Sequence, residues 1–128
     1  MQRQAIFPEG KRVIYDNNKY SAALKSGDLL FASGHVGGRE DGSPEPEFKQ
    51  QVDLAFQNLI ATLKAAGCTL EDVIDVTTFH TDLENQFDDI MDVRDRYVPG
   101  PVYPNWTAVG VSYLSGFDFE MKVIARIP

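Results

Sequence analysis

The feature that most narrows what this chain can fold into is a change of hydrophobic period along it. From Phe117 to Ile127 the residues alternate: Phe119, Met121, Val123, Ala125 and Ile127 point one way, and Asp118, Glu120, Lys122 and Arg126 point the other. A period of two is the mark of a strand with one face on a core. From about Glu47 the period is three to four, with Phe48, Val52, Phe56, Leu59, Ile60 and Leu63 along one side of an amphipathic helix. Gly67 supplies its stop. Leu29 to Gly34, after the turn signal Ser26-Gly27-Asp28, predicts a buried strand, and Tyr20 to Leu24 its hairpin mate. The Gly-, Pro- and charge-rich segment His35 to Pro46 is expected to cross the surface as a loop. Val73 to Thr81 is rich in β-branched residues and predicts another strand. A shorter helix opens at Asn85 or Gln86, carries Phe87, Ile90, Met91 and Arg94 at helical spacing, and ends at Pro99-Gly100-Pro101. Thr107 to Val111 predicts a strand joined to the last one through Leu114-Ser115-Gly116.

Two helices that each follow strands imply an α+β domain, one sheet with both helices on a single face. The other face carries too many apolar residues to sit in water, so subunit association is expected to cover it. With 128 residues and 43% hydrophobic content, one domain over residues 1–128 is the natural organisation. No apolar run approaches the roughly 20 residues that span a bilayer. Met1-Gln2-Arg3-Gln4 lacks the apolar block of a signal peptide, so the expectation is a cytoplasmic protein with no membrane partner. A net charge of −7 with scattered Lys and Arg repels a phosphate backbone, which argues against nucleic acid as a partner. The single cysteine, Cys68, reads as a small structural residue behind the helix end.

The chemistry-bearing residues are few. The two histidines, His35 and His80, have no ligand-spaced partners, and the carboxylates show no calcium-loop pattern, so no metal is expected. Gly34-His35-Val36-Gly37-Gly38 lacks the Lys-Ser/Thr of a P-loop and the spacing of a dinucleotide fold, which leaves a flexible exit from a strand and no cofactor. Ser33 and His35 stand two apart and could share a face, but no Gly-x-Ser-x-Gly elbow presents the serine. A strand-end Ser33 bonded to backbone, with His35 partly solvated, is the simpler reading. His80 reads as a satisfied histidine within a strand. Glu120 is an ordinary solvated carboxylate unless a neighbouring subunit covers it; desolvation would then raise its pKa and let it exchange protons near neutrality.

Several segments occur in an order that resembles the RidA/YjgF family: Tyr20-Ser21-Ala22-Ala23, Phe31-Ala32-Ser33-Gly34-His35-Val36, Leu63-Lys64-Ala65-Ala66-Gly67-Cys68, Val76-Thr77-Thr78-Phe79, Tyr103-Pro104-Asn105-Trp106-Thr107-Ala108-Val109 and Phe119 to Ala125. The chain is most similar to the YjgH-like branch, in which Pro-Asn-Trp-Thr-Ala-Val-Gly-Val replaces an arginine-bearing segment. The resemblance implies a chorismate-mutase-like fold with a mixed sheet, assembled as a homotrimer with ligand clefts between subunits. It implies imine or enamine deaminase-like hydrolysis, with Glu120 as the catalytic acid/base and Tyr20, Ser33, Met91, Trp106 and Ala108 lining the ligand site. Trp106 stands where other members carry the arginine that grips a substrate carboxylate. The implied ligand is therefore an uncharged or aromatic metabolite, with weak or no 2-aminoacrylate deaminase activity, although Arg94 or Arg126 could supply a displaced charge. Two alternatives stay open: a non-catalytic metabolite-binding or interaction trimer and, less favoured, the endoribonuclease activity sometimes attached to the family.

Overall fold

In a computed structural model, which describes residues 2–128, the chain forms one seven-stranded mixed sheet and three α-helices. The strands are β1 (Gln4–Ile6), β2 (Ala23–Ser26), β3 (Leu29–Ala32), β4 (His35–Val36), β5 (Val73–His80), β6 (Asn105–Gly110) and β7 (Phe119–Arg126); the helices are α1 (Arg12–Asn18), α2 (Phe48–Ala65) and α3 (Leu83–Tyr97). The strand order is β1-β2-β3-β7-β5-β6, with β4 pairing β7 beside β3. Only the β5–β6 pair is parallel, because α3 carries the chain from the end of β5 back to the start of β6. Among the described residues no helix is long and apolar enough to cross a membrane.

The alternation in β7 behaves as its period requires. Phe119, Met121, Val123 and Ala125 are buried beneath the helices, whereas Glu120, Lys122 and Ile124 line the opposite face. Val52, Phe56, Leu59 and Leu63 of α2 and Ile90 and Val93 of α3 complete the core. The Phe56 and Tyr97 rings stack at 5.0 Å between the two helices, and Tyr97 Oη donates to Asp53 at 2.7 Å. Glu47 caps α2 by accepting from the backbone N–H groups of Lys49 and Gln50, and Gly67, at a φ of 77°, turns the chain away after it. Cys68 is buried behind that turn.

The segment after β3 departs from expectation. His35 and Val36 pair with Met121 and Glu120 of β7, and Gly38 bridges Pro44, so the stretch expected to be a loop holds a short strand. It is no flexible exit: α2 crosses so closely that a Cβ on Gly37 would collide with the backbone carbonyl of Gln51. His35 is only 4% exposed instead of partly solvated, with Nδ1 against the Ser33 carbonyl at 2.7 Å and Nε2 against Thr62 Oγ1 at 2.8 Å. Both ring nitrogens are occupied, and burial lowers its pKa.

Boundaries shift elsewhere for local reasons. Strand β2 starts at Ala23 instead of Tyr20, and α3 starts at Leu83, where the Asp82 N–H donates to Gln86 and closes the first turn. The strand β1 and the seven-residue helix α1 are additional to the two expected helices. Helix α1 buries no residue and leaves Val13 and Ile14 exposed, so it has no apolar stripe for a periodicity argument to find. Its Tyr15 packs edge-on against Tyr20 at 5.0 Å, which docks it over the end of β2.

Candidate functional site

The two faces of the sheet divide the expected site residues into two groups. Glu120 pairs in register with Phe79 and Val36 on the face that no helix covers. Its carboxyl lies against Gly34, where an added Cβ would come within 2.6 Å of Glu120 Cδ, so only glycine leaves room for it. Half-buried, Glu120 has a pKa raised by desolvation and lowered slightly by Lys122. Tyr20 is close enough that Glu120 helps burial to raise its phenol pKa, so the phenol stays a proton donor at neutral pH. Ser33 Oγ donates to the Ser21 carbonyl at 2.7 Å, the backbone role expected of it, and so cannot be a nucleophile paired with His35.

Trp106 and Met91 lie elsewhere. Trp106 pairs with Val76, whose side chain is in the core, and so belongs to the helix-covered face, as does Ala108 opposite buried Thr78. Within one chain Glu120 and Trp106 are separated by the sheet, and any meeting of the two is between chains. The guanidinium of Arg94 sits 4.6 Å from the Trp106 ring centroid and 5.8 Å from that of Tyr103, with a 3.7 Å contact to the Met91 sulfur. Stacking uses the face of the guanidinium and leaves most of its edge N–H groups free. Arg126, by contrast, is held at 2.7 Å by Asp28.

Behind Trp106 lies a polar thread that the sequence did not reveal. Trp106 Nε1 donates to Thr78 Oγ1 at 3.0 Å, and that hydroxyl is 2.7 Å from His80 Nε2. His80 is 1% exposed, yet its Nδ1 has no hydrogen-bond partner among the described residues, so it is satisfied at one nitrogen only. The Thr78 hydroxyl thus links the indole N–H donor of Trp106 to the His80 ring. Replacing Trp106 with arginine removes that donor and sets a second cation beside Arg94. We expect Trp106→Arg to lose about 2–3 kcal/mol in urea unfolding and to gain no 2-aminoacrylate hydrolysis in an ammonia-release assay.

Two hollows flank the Glu120 region. A shallow one of about 410 Å³ is lined by Arg3, Ala5, Ser21, Leu24 and Ser33. A second, of about 350 Å³, lies between α1, the 36–42 segment and α2, and includes Tyr20 and Gly34 in its wall. Among the described residues no cluster of three His, Cys, Asp or Glu side chains could hold a metal ion.

A family model described as Endoribonuclease L-PSP matches residues 11–127. The RutC family protein YjgH of Escherichia coli (strain K12) is 66% identical over 128 residues, spanning 100% of this chain and 98% of its own length. The solved structure of protein YjgH superposes with a TM-score of 0.95 over 100% of this chain and 98% of that one, at 66% identity. The RidA structure from an Antarctic Psychrobacter species has a TM-score of 0.80 at 34% identity, covering 84% of this chain and 88% of its own. A 2-iminobutanoate/2-iminopropanoate deaminase of Dermatophagoides farinae is 30% identical over 97 residues, 74% of each chain. Sequence order, sheet topology and these similarities agree, and the chain belongs to the Endoribonuclease L-PSP family, the RidA/YjgF group.

Proposed function

We propose that the protein is a small-molecule-binding imine or enamine hydrolase that acts as a homotrimer and prefers uncharged or aromatic substrates. The observation that carries this reading is Glu120, a half-buried carboxyl with a raised pKa, set against Gly34 beside Tyr20 on the sheet face that no helix covers. On that face Phe31 is 43% and Val109 36% exposed, and a partner subunit laid on the face would cover both. Three copies packed through it would enclose the carboxyl further and strengthen its coupling to a bound substrate.

In this reading ionised Glu120 takes a proton from water as the water oxygen adds to the carbon of a protonated imine. The carbinolamine nitrogen then receives that proton back, the C–N bond breaks, ammonia leaves, and loss of the hydroxyl proton completes the carbonyl. Tyr20, held protonated, can donate a hydrogen bond to the substrate.

Trp106 at the position of the family arginine removes a charge-assisted contact worth about 1.5–3 kcal/mol, and Arg126 is engaged by Asp28. The deaminase name of the mite relative therefore carries over as a reaction class and not as a substrate. A net charge of −7 gives no support to an RNA substrate.

Two measurements test the proposal. Light scattering at micromolar concentration should report a trimer, and a stable monomer would remove the enclosed site. Ammonia release should be faster with neutral ketimines than with 2-aminoacrylate or 2-iminopropionate. Robust turnover of the latter pair would show that another cation, with Arg94 the first to examine, replaces the missing arginine; saturable binding with no turnover of any imine would leave a binding protein.

A further inference from the structure

The hollow of about 350 Å³ between α1 and α2 has a size and lining suited to a ligand. Ile14 and Tyr15 of α1, Tyr20, Ala61 of α2 and Phe117 form its apolar wall. Cavities that hold small molecules are of this size, mostly apolar, with few polar groups. Both basic groups in its wall are paired in place, Lys11 with Glu40 at 2.7 Å and Arg39 with Glu45 at 3.1 Å, and the Glu9 carboxylate adds a negative charge. The Asn58 amide is spent on the Val36 and Gly38 carbonyls at 2.9 and 3.2 Å. Neither basic side chain is left free to select an anion.

Glu120 does not line this hollow, but two residues beside its carboxyl do. Gly34 lines it, and the other side of Gly34 carries the Glu120 carboxyl, while Tyr20 borders both. Tyr20 is thus the border that a ligand with its reacting carbon at Glu120 would cross to reach the space under α1. That space holds one ring with a short substituent.

We propose that the α1–α2 cavity is a specificity subsite that binds an uncharged aromatic ring, so that the substrates of this protein are aryl-substituted ketimines and the products aryl ketones. The inference rests on the hydrolase reading for the role of Glu120, but the binding of the ring stands on the cavity alone. Rings fit because Tyr15 and Tyr20, set edge-to-face at 5.0 Å, offer a fixed aromatic wall, and the ion pairs near them discourage a free carboxylate. Helix α1 sets the depth of the cavity, which makes this short, weakly packed segment the part of the chain that decides substrate size.

The probes are acetophenone, which carries the ring and a carbonyl, and acetone, which lacks the ring, with binding followed by calorimetry and tyrosine-ring NMR shifts. Wild type is expected to bind acetophenone about tenfold or more tighter than acetone, as burial of one ring implies. Ala61 is exposed on α2, so Ala61→Phe fills the cavity without disturbing the core. It should abolish that preference while the unfolding midpoint stays near that of wild type. Ile14→Ala, which removes part of the wall, should weaken acetophenone several-fold and leave acetone unchanged. Equal affinity for the two ketones, or an acetophenone preference that survives Ala61→Phe, overturns the subsite. Binding with the expected pattern but no ammonia release from the matching ketimine would sink the hydrolase reading and leave the subsite standing.

Discussion

Glu120→Gln should lower imine turnover by about 10²–10⁴-fold while ligand affinity changes little, since glutamine keeps the size and loses the proton transfer. The pH dependence gives a second readout. Desolvation raises the Glu120 pKa in the folded chain above its unfolded value. The water-activating form is the ionised one, so kcat/KM should rise as pH climbs through that raised pKa, and the rise should vanish in Glu120→Gln. Stability runs in the opposite direction. The native state holds the Glu120 proton more tightly than the unfolded chain does, so this group's contribution is most favourable at low pH and is lost as pH rises through the folded pKa. The glutamine variant has no such loss and should be as stable as wild type or slightly more so near neutrality. An unchanged pH–rate profile in the variant would remove Glu120 from the reaction, and a large stability loss would make it a structural residue.

Gly37→Ala should cost about 3 kcal/mol of unfolding free energy, among the largest effects available to a single methyl group here. The added Cβ meets the backbone carbonyl of Gln51, and a helix backbone cannot swing aside as a side chain tip does. Separating α2 from β4 would also strain the contacts that α2 makes with β4 and with the segments beside it. These are the His35–Thr62 hydrogen bond, the two Asn58 bonds to the Val36 and Gly38 carbonyls, and the Gln51 amide that donates to the Glu45 carbonyl and accepts from the Asp118 N–H. Gly38→Ala is the matched comparison, because there a Cβ meets the Phe117 ring at 3.6 Å, an ordinary contact. Urea unfolding of the pair should show the large loss for Gly37→Ala and a change within about 1 kcal/mol for Gly38→Ala. Equal effects would mean that α2 shifts freely at its N-terminal end.

The sequence by itself determined the elements whose burial is periodic. The two-residue repeat of β7 and the three-to-four-residue repeat of α2 each follow from one face meeting a core, and both appear where the periods put them. The ordered segments also sufficed to identify the family, since they span most of the chain. Helix α1 escaped because it buries nothing and has no period to detect. Segment 35–38 looked mobile because glycine signals freedom in a sequence, whereas Gly37 is there for the close passage of α2.

Only the tertiary structure decided which side of the sheet each site residue occupies. Strand register sets that, and register depends on pairing between strands far apart in sequence. Pairing of Trp106 with Val76 sends the indole toward the helices, where it stacks on Arg94 and donates to Thr78. Glu120, paired with Phe79, faces the uncovered side. The sequence could name both residues, but their separation by the thickness of the sheet, and the cavity under α1 that adjoins only Glu120's neighbours, arise from non-local packing that no local pattern encodes.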